Sequence, residues 1–226
     1  HLARVAEITR RHGTLLIVDE IATGFGRTGT MFASEAEGIE PDLLCLGKGV
    51  TGGYLPLSAT LATDKVFEAF LAPPEAHRTL FHGHSYSANP LACAAALANL
   101  AVFDDERTIE ALGPKMTLLG ELLEPLASHP HVGEVRRRGF MVGIELVRDR
   151  GRKEEFPERL QVGAAVTRAA RRLGAVIRPL GDVIVLMPPL AISPEQLRRL
   201  VAIATAAIDD ACDLAVSTLA GERPRP

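Results

Sequence analysis

The chain has 226 residues, of which 47% are hydrophobic, and this is enough for one large core or two smaller ones. Its formal net charge of −3 gives no electrostatic reason to expect a nucleic acid or an anionic membrane surface as partner. Charged residues, Gly or Pro cut every apolar run well short of the roughly 20 residues that span a bilayer, so we predict a soluble globular protein with no membrane partner.

The first half of the chain alternates helix and strand patterns, as α/β proteins do. In chain order these patterns predict a helix to about Arg11, a buried strand at 14–18, a second buried strand at 41–46, a third strand at 56–63 and an alanine-rich helix at 89–103 that is packed on most sides. We expect the strands of this part to be parallel.

The second half changes to the pattern of an α+β protein. In chain order it predicts an amphipathic helix at 107–128, half-exposed antiparallel strands at 132–136 and 141–146, a helix to residue 173, strands at 175–177 and 183–187, and a last helix capped by Ser193. We therefore predict two domains, 1–108 and 109–226, and a disordered tail at 221–226.

Three cysteines, Cys45, Cys93 and Cys212, lie in aliphatic surroundings and are too few for a disulfide framework. Because no signal peptide is recognisable either, we predict a reducing compartment, the cytoplasm. The chain opens on His1 in a helical pattern with no strand before it, and we interpret it as a piece of a longer protein.

Lys48 is the most informative residue. It lies in a glycine-rich loop, 46–53, that follows one apolar strand, while another strand ends in Asp19 and Glu20. A lysine that forms an imine and a carboxylate that sets the electronics of the ring are what a carbonyl cofactor needs. The glycines are predicted to let the backbone approach a flat ligand. A lone lysine after a strand is more often a solvated surface charge.

Two other site classes compete for these residues. An apolar strand followed by Asp-Glu also occurs in nucleotide hydrolases, but there a Ser or Thr follows the lysine of the phosphate loop, whereas here Gly49 follows Lys48. His82 and His84 could ligate a metal, but they supply at most two ligands. We predict neither a nucleotide hydrolase nor a metal site.

Two further positions carry polar groups suited to anions. Residues 81–86 form a polar loop before the alanine-rich helix, and the Ser85 hydroxyl with neighbouring N–H groups could hold a phosphate. Arg178 is predicted to end the strand at 175–177, with Pro179 fixing the turn that follows. Its guanidinium is either a surface cation or a planar fork for a substrate carboxylate.

Residues 19–29, the Lys48 loop and residues 82–96 together resemble the class III aminotransferases, which use pyridoxal 5'-phosphate. The resemblance covers nearly the whole chain. It implies an α/β fold of the aspartate-aminotransferase type, the type I fold of pyridoxal-phosphate-dependent transferases. Residues 1–108 would be the C-terminal part of the cofactor-binding large domain, and 109–226 the small C-terminal domain.

The resemblance also implies roles for single residues. Lys48 falls at the Schiff-base lysine, which contacts the substrate and shuttles the proton between cofactor and substrate carbons. Asp19 falls at the carboxylate that pairs with the pyridine nitrogen. Ser85 matches a phosphate-binding hydroxyl that reaches the neighbouring subunit's site, so a homodimer with shared active sites is implied. Gly83 and Arg178 match substrate-binding positions, the arginine receiving a carboxylate.

The sequence departs from the family at one of these positions. Many members read Gly-Pro-Thr where this chain reads Gly83-His84-Ser85. Serine keeps the hydroxyl, whereas loss of the proline frees the backbone and leaves a titratable ring near the phosphate. We hypothesise that His84 adds a charge-assisted contact to the cofactor phosphate.

Within the family, the lysine loop and residues 89–96 are most similar to members that convert 8-amino-7-oxononanoate to 7,8-diaminononanoate in biotin formation. The implied amino donor is S-adenosylmethionine, with lysine as the other donor. Two alternatives stay open: another class III enzyme acting on an ω-amino acid or polyamine, and an inactive fragment that only dimerises. Because an earlier half of the family's fold also contacts the cofactor, we expect this chain alone to bind it poorly or not at all.

Overall fold

The computed structural model describes residues 1–221, and these form two compact units. Unit 1 is His1–Ala111, and unit 2 begins at Leu112, inside a helix. The sequence analysis places this boundary after residue 108, and its assignment of the two parts to a large and a small domain stays a prediction. Of the tail predicted to be disordered, Gly221 ends a helix, and 222–226 lie outside the described residues.

Unit 1 contains a three-stranded sheet in the order β1-β2-β3. The strands are β1 (Ile17–Asp19), β2 (Leu43–Leu46) and β3 (Ala59–Ala62), and the helices are α1 (Leu2–Arg11), α2 (Asp64–Glu68) and α3 (Pro90–Asp105). β1 and β2 are parallel as predicted, but β3 is antiparallel to β2. The connection from β2 to β3 holds only a short 3-10 turn, and a parallel return needs a longer crossover.

The apolar residues around β1 are not buried, contrary to prediction. Leu15 is 47% exposed and Ile17 is 62% exposed. β1 is an edge strand, and none of the elements within residues 1–221 covers this side of it. α3 likewise buries only Ala92 and Ala96, so it is not packed on most sides in the described chain.

The core of unit 1 lies around Phe25. This ring is buried with Leu46, Val50 and Ala96, and it meets the ring of Phe32 edge-on at a centroid distance of 5.6 Å. Aromatic pairs in this geometry add about 0.5–1.5 kcal/mol beyond the area they bury. The cluster joins residues that follow β1 to the turn that follows β2 and to α3.

Unit 2 is built on an antiparallel sheet in the order β4-β5-β7-β6. Its elements are α4 (Thr108–Leu123), β4 (Val132–Arg138), β5 (Met141–Leu146), α5 (Val162–Arg172), β6 (Arg178–Leu180), β7 (Val183–Leu186) and α6 (Pro194–Gly221). β5 alternates buried and half-buried residues, as predicted. α5 packs on α6, and both helices bury an apolar face.

The strand predicted at 175–177 is displaced. β6 begins at Arg178, and Pro179 lies inside it instead of forming a turn. β6 is an edge strand, where a missing backbone N–H breaks no ladder hydrogen bond on the outer side. Arg178 therefore starts a strand, and the apolar residues before it form the approach to β6.

The three cysteines are free. Cys212 is fully buried in α6, and burial raises the pKa of its thiol to about 12, so the thiol stays protonated and unreactive at neutral pH. None of the helices within residues 1–221 has both the length and the apolar character needed to cross a bilayer.

The start of α6 has the predicted cap, in a reciprocal form. The backbone N–H of Gln196 donates to Ser193 Oγ at 3.2 Å, and the backbone N–H of Ser193 donates to Gln196 Oε1 at 2.9 Å. This capping box satisfies two N–H groups that the helix itself leaves without partners.

We expect Ser193→Ala to lower the free energy of unfolding of unit 2 by about 1 kcal/mol, because the first turn of α6 loses its cap. Urea unfolding followed by circular dichroism measures this change. Ser217→Ala is the matched control, since Ser217 Oγ only donates to Leu214 O within the same helix, and its effect should stay within about 0.5 kcal/mol. Equal effects of the two variants would contradict the capping role.

Candidate active site

Asp19 and Lys48 lie at the same edge of the unit 1 sheet. β1 and β2 run parallel, and Asp19 at the end of β1 pairs in register with Cys45. Lys48 follows Leu46, the last residue of β2, after Gly47 alone. Both side chains are exposed. The carboxyl ends of neighbouring parallel strands are where α/β sheets carry their ligand sites.

The two acids at the end of β1 have opposite surroundings. Glu20 is 1% exposed; its Oε1 accepts from the N–H of Ser34 at 2.8 Å, and its carboxylate also accepts from the Thr23 hydroxyl. Asp19 is exposed, and its Oδ1 accepts from the N–H of Ile21 at 2.9 Å. Glu20 is thus engaged within the fold, whereas Asp19 keeps an oxygen with no hydrogen bond to residues 1–221 for a donor outside the chain.

Lys48 has an unusual backbone conformation. Its φ is +39°, in the left-handed region that residues with a side chain avoid. Such residues cost about 1–3 kcal/mol and persist only where the surroundings hold them, which is most often at functional sites. Lys48 also begins the 3-10 turn Lys48–Thr51, whose first hydrogen bond runs from the N–H of Val50 to Gly47 O at 3.1 Å.

The glycines beside Lys48 are needed for packing within the protein. A Cβ at Gly49 would lie 2.8 Å from Phe25 Cβ, and a Cβ at Gly47 would lie 3.2 Å from Ile21 Cγ2. The segment that follows Asp19 therefore packs directly on the lysine loop. This contact ties the carboxylate and the amine to one rigid piece of structure.

Sequence reasoning missed a polar contact on the other side of the lysine loop. Asn99, on α3, donates from Nδ2 to Gly49 O at 3.0 Å and to Val50 O at 3.2 Å. The available signal was a carboxamide within an alanine-rich apolar helix, a position where a polar side chain needs a partner.

The loop with Gly83, His84 and Ser85 is exposed and is held by local hydrogen bonds. The N–H of His84 donates to Ser87 Oγ at 3.0 Å, and the N–H of Tyr86 donates to His84 Nδ1 at 3.1 Å. The loop is therefore not freed by the absence of proline, because Ser87 and the imidazole restrain it. The Nδ1 contact assigns the ring proton of neutral His84 to Nε2.

Arg178 lies in unit 2, whereas the other predicted site residues lie in unit 1. Its side chain is exposed, and the residue lines a cavity of about 540 Å³ together with Arg199 and apolar residues that include Val176, Met187 and Ile203. A cationic group beside apolar walls suits a carboxylate that carries an aliphatic chain.

Residues 1–221 contain no group of three or more His, Cys, Asp or Glu side chains placed to hold a metal ion. His82 and His84 are both exposed and lie in the same loop.

A profile of the family described as aminotransferase class III matches residues 1–208. The chain belongs to the class III aminotransferases. It is 54% identical over 200 residues to the adenosylmethionine-8-amino-7-oxononanoate aminotransferase of Nitratidesulfovibrio vulgaris, which covers 88% of this chain and 37% of the relative. The enzyme of the same name from Aquifex aeolicus is also 54% identical, over 88% of this chain and 44% of that relative. The chain thus spans less than half the length of these relatives.

Solved structures of class III members have the same fold as this chain. The adenosylmethionine-8-amino-7-oxononanoate aminotransferase of Methanocaldococcus jannaschii aligns with a TM-score of 0.90 and 45% identity over 92% of this chain and 49% of its own. An (S)-enantioselective omega-transaminase from Thermomicrobium roseum aligns with a TM-score of 0.86 and 40% identity over 92% of this chain and 46% of its own. The fold is therefore the pyridoxal-phosphate-dependent type I fold that the sequence resemblance implies, here as a partial chain.

Pyridoxal phosphate is the cofactor of this family, and the arrangement in unit 1 fits it. The exposed amine of Lys48 suits its aldehyde, and the free oxygen of Asp19 suits its protonated ring nitrogen. Both groups come from the same edge of the sheet, at the ends of paired parallel strands.

The two acids make a test of this geometry. We expect Glu20→Ala to lower the free energy of unfolding of unit 1 by about 2–3 kcal/mol, because the buried N–H of Ser34 loses its acceptor. Asp19→Ala should cost less than about 1 kcal/mol, since Asp19 is exposed. Urea unfolding of the two variants compares them. If Asp19→Ala lowers the free energy of unfolding more than Glu20→Ala does, then Asp19 is the structural acid and Glu20 is not.

Proposed function

We propose that this chain supplies the reactive lysine and the ring-facing acid of a pyridoxal-phosphate-dependent aminotransferase. The proposed reaction converts 8-amino-7-oxononanoate to 7,8-diaminononanoate in biotin biosynthesis, with S-adenosylmethionine as the amino donor. The observation that carries the chemistry is the placement of Asp19 and Lys48 at the ends of paired parallel strands. The choice of substrate rests on the names of relatives up to 54% identical.

Lys48 is the proposed catalytic residue. Bound pyridoxal phosphate supplies an aldehyde that condenses with amines and a ring that draws electrons from the reacting carbon. The Nζ of Lys48 removes the proton from the substrate carbon and delivers it to the cofactor carbon, as a general base and then a general acid. Its exposure and the rigid packing of its loop suit an amine that must face a ligand in one direction.

Asp19 is proposed to hold the proton on the pyridine nitrogen. An ionised carboxylate beside that nitrogen favours the charged ring, which is the state that best accepts electron density. The hydrogen bond from the Ile21 N–H to Oδ1 fixes the orientation of the carboxylate.

The remaining positions are proposed binding residues. Ser85 and His84 would bind the cofactor phosphate, with the Nε2–H of His84 as a donor because its Nδ1 is already engaged. Gly83 and Arg178 would contact the substrate, and the guanidinium would receive the carboxylate of 8-amino-7-oxononanoate. In this proposal Ser85 serves the site of the partner in a homodimer, and the enzyme acts in the cytoplasm.

One comparison favours a second candidate function. The omega-transaminase from Thermomicrobium roseum is 40% identical to this chain over the aligned part, which is 92% of this chain and 46% of its own. Lys48 and Asp19 would have the same roles in an enzyme that acts on an ω-amino acid or polyamine, so these residues alone do not select the acceptor. Lysine in place of S-adenosylmethionine is the corresponding alternative for the donor, and a chain that only dimerises is the non-catalytic alternative.

We expect Lys48→Ala, in the full-length protein that contains this chain, to lower the transamination rate at least about 100-fold, because the proton carrier is lost. Borohydride reduction of the wild type should attach the cofactor to the peptide with Lys48, as mass spectrometry detects. Lys65→Ala, on α2, is the control for loss of a lysine and should behave as the wild type. Cofactor attached to another lysine would refute the proposed role.

The substrate is tested by comparing acceptors in the same protein. With S-adenosylmethionine as donor, 8-amino-7-oxononanoate should give a kcat/KM at least about tenfold above that of simple ω-keto acids, since the best substrate gains carboxylate and chain contacts. Arg178→Ala should raise its KM more than it lowers kcat if the arginine only binds. A preference for pyruvate-type or polyamine-derived acceptors would favour the second candidate.

A further inference from the structure

We infer that Asn99 is a positioning residue for Lys48. Its Nδ2 donates to the carbonyls of Gly49 and Val50, the two residues that follow the lysine. These carbonyls belong to the 3-10 turn that Lys48 begins, so the contact restrains the turn in which the lysine lies. Asn99 takes no part in the proposed proton transfer and would act only by positioning Lys48. The inference rests on the proposed function for its catalytic meaning.

The carboxamide also lies close to Gly52, the glycine that ends the turn. A Cβ at Gly52, which has a φ of +62° and closes the turn, would lie 2.8 Å from Asn99 Oδ1. Nδ2 donates to the carbonyls of the two central residues of the turn, Gly49 and Val50. The side chain therefore fits between Gly49 and Gly52, and glycine at 52 leaves the space that this fit needs.

Phe25 acts on the same turn through packing. A Cβ at Gly49 would lie 2.8 Å from Phe25 Cβ, so this glycine is in close contact with the ring while its carbonyl receives the Asn99 amide. The turn is held by packing and by hydrogen bonds from different elements. A residue at a φ of +39° stays there only when its neighbours fix it in this way, and Asn99 supplies the polar part of that restraint.

The position of Asn99 in its own helix also supports a role in the lysine loop. Asparagine costs up to about 0.7 kcal/mol relative to alanine inside a helix, and α3 is otherwise mostly Ala and Leu. Alanine at this position would thus favour the helix. Asn99 is half-buried against the lysine loop and disfavours its own helix. Its hydrogen bonds to the loop explain why asparagine stands at this position.

The test compares Asn99→Asp and Asn99→Ala with Asn89→Ala in the full-length protein. Asp keeps the shape and removes the N–H donors, and Ala removes the contact while it favours the helix. Asn89 caps α3 by accepting from the N–H groups of Leu91 and Ala92, so Asn89→Ala weakens the same helix without touching the lysine loop.

The first readout needs no cofactor. We expect hydrogen exchange at the amides of Val50 and Gly52 to be at least about tenfold faster in both Asn99 variants, because the turn opens more often. Asn89→Ala should accelerate exchange only in the first turn of α3. Unchanged exchange at Val50 and Gly52 in both Asn99 variants overturns the inference, whatever the function of the protein.

The second readout reports on the amine. With cofactor bound, both Asn99 variants should shift the pH midpoint of the visible absorption band and slow borohydride trapping at Lys48 at least about tenfold, whereas Asn89→Ala should change neither. If the wild type shows no cofactor band, the proposed function is refuted. The hydrogen exchange at Val50 and Gly52 then still tests whether Asn99 holds the turn. A normal band and trapping rate in both Asn99 variants refutes the positioning role.

Discussion

The parallel pairing of β1 with β2 is the constraint on which the candidate site depends. It places the end of each strand at one edge of the sheet, so Asp19 and Lys48 lie at the same edge although 28 residues separate them in sequence. An antiparallel pair would have sent the two side chains to opposite edges. The segment after β1 then packs on the lysine loop through Ile21 and Phe25, which converts a shared edge into a fixed relation between acid and amine.

The two acids at this edge, Asp19 and Glu20, are neighbours in sequence but have different surroundings. Side chains alternate between the two faces along β1, and Glu20, directly after the strand, continues this alternation: Asp19 is exposed and Glu20 is buried. Glu20 then satisfies the N–H of Ser34 and the hydroxyl of Thr23, and in this way orders the glycine-rich segment that packs on the lysine loop. The acid that is not proposed to meet the cofactor thus supports the one that is.

The two units differ in how completely they bury their apolar residues. Unit 2 encloses residues of the sheet and of α5 and α6, among them Ile144, Val166, Ile184, Leu197 and Ile208. Unit 1 leaves Leu15, Ile17, Leu91 and Leu97 exposed. The chain spans less than half the length of its relatives, and the unit that exposes more of its large apolar residues is also the one that carries Lys48.

The sequence by itself determined most helices, the strands β4, β5 and β7, and the choice of Lys48 and Asp19 as candidate site residues, because periodicity, caps and residue type are local properties. Ser193 is an example, since a serine before proline and a glutamine three residues later suffice for a capping box. Tertiary structure alone decided the direction of β3, the exposure of β1 and the start of β6 at Arg178, because each depends on which strands are neighbours. It also decided why Gly47 and Gly49 are glycines and that Asn99 reaches the lysine loop, since contacts between residues distant in sequence leave no periodic signal.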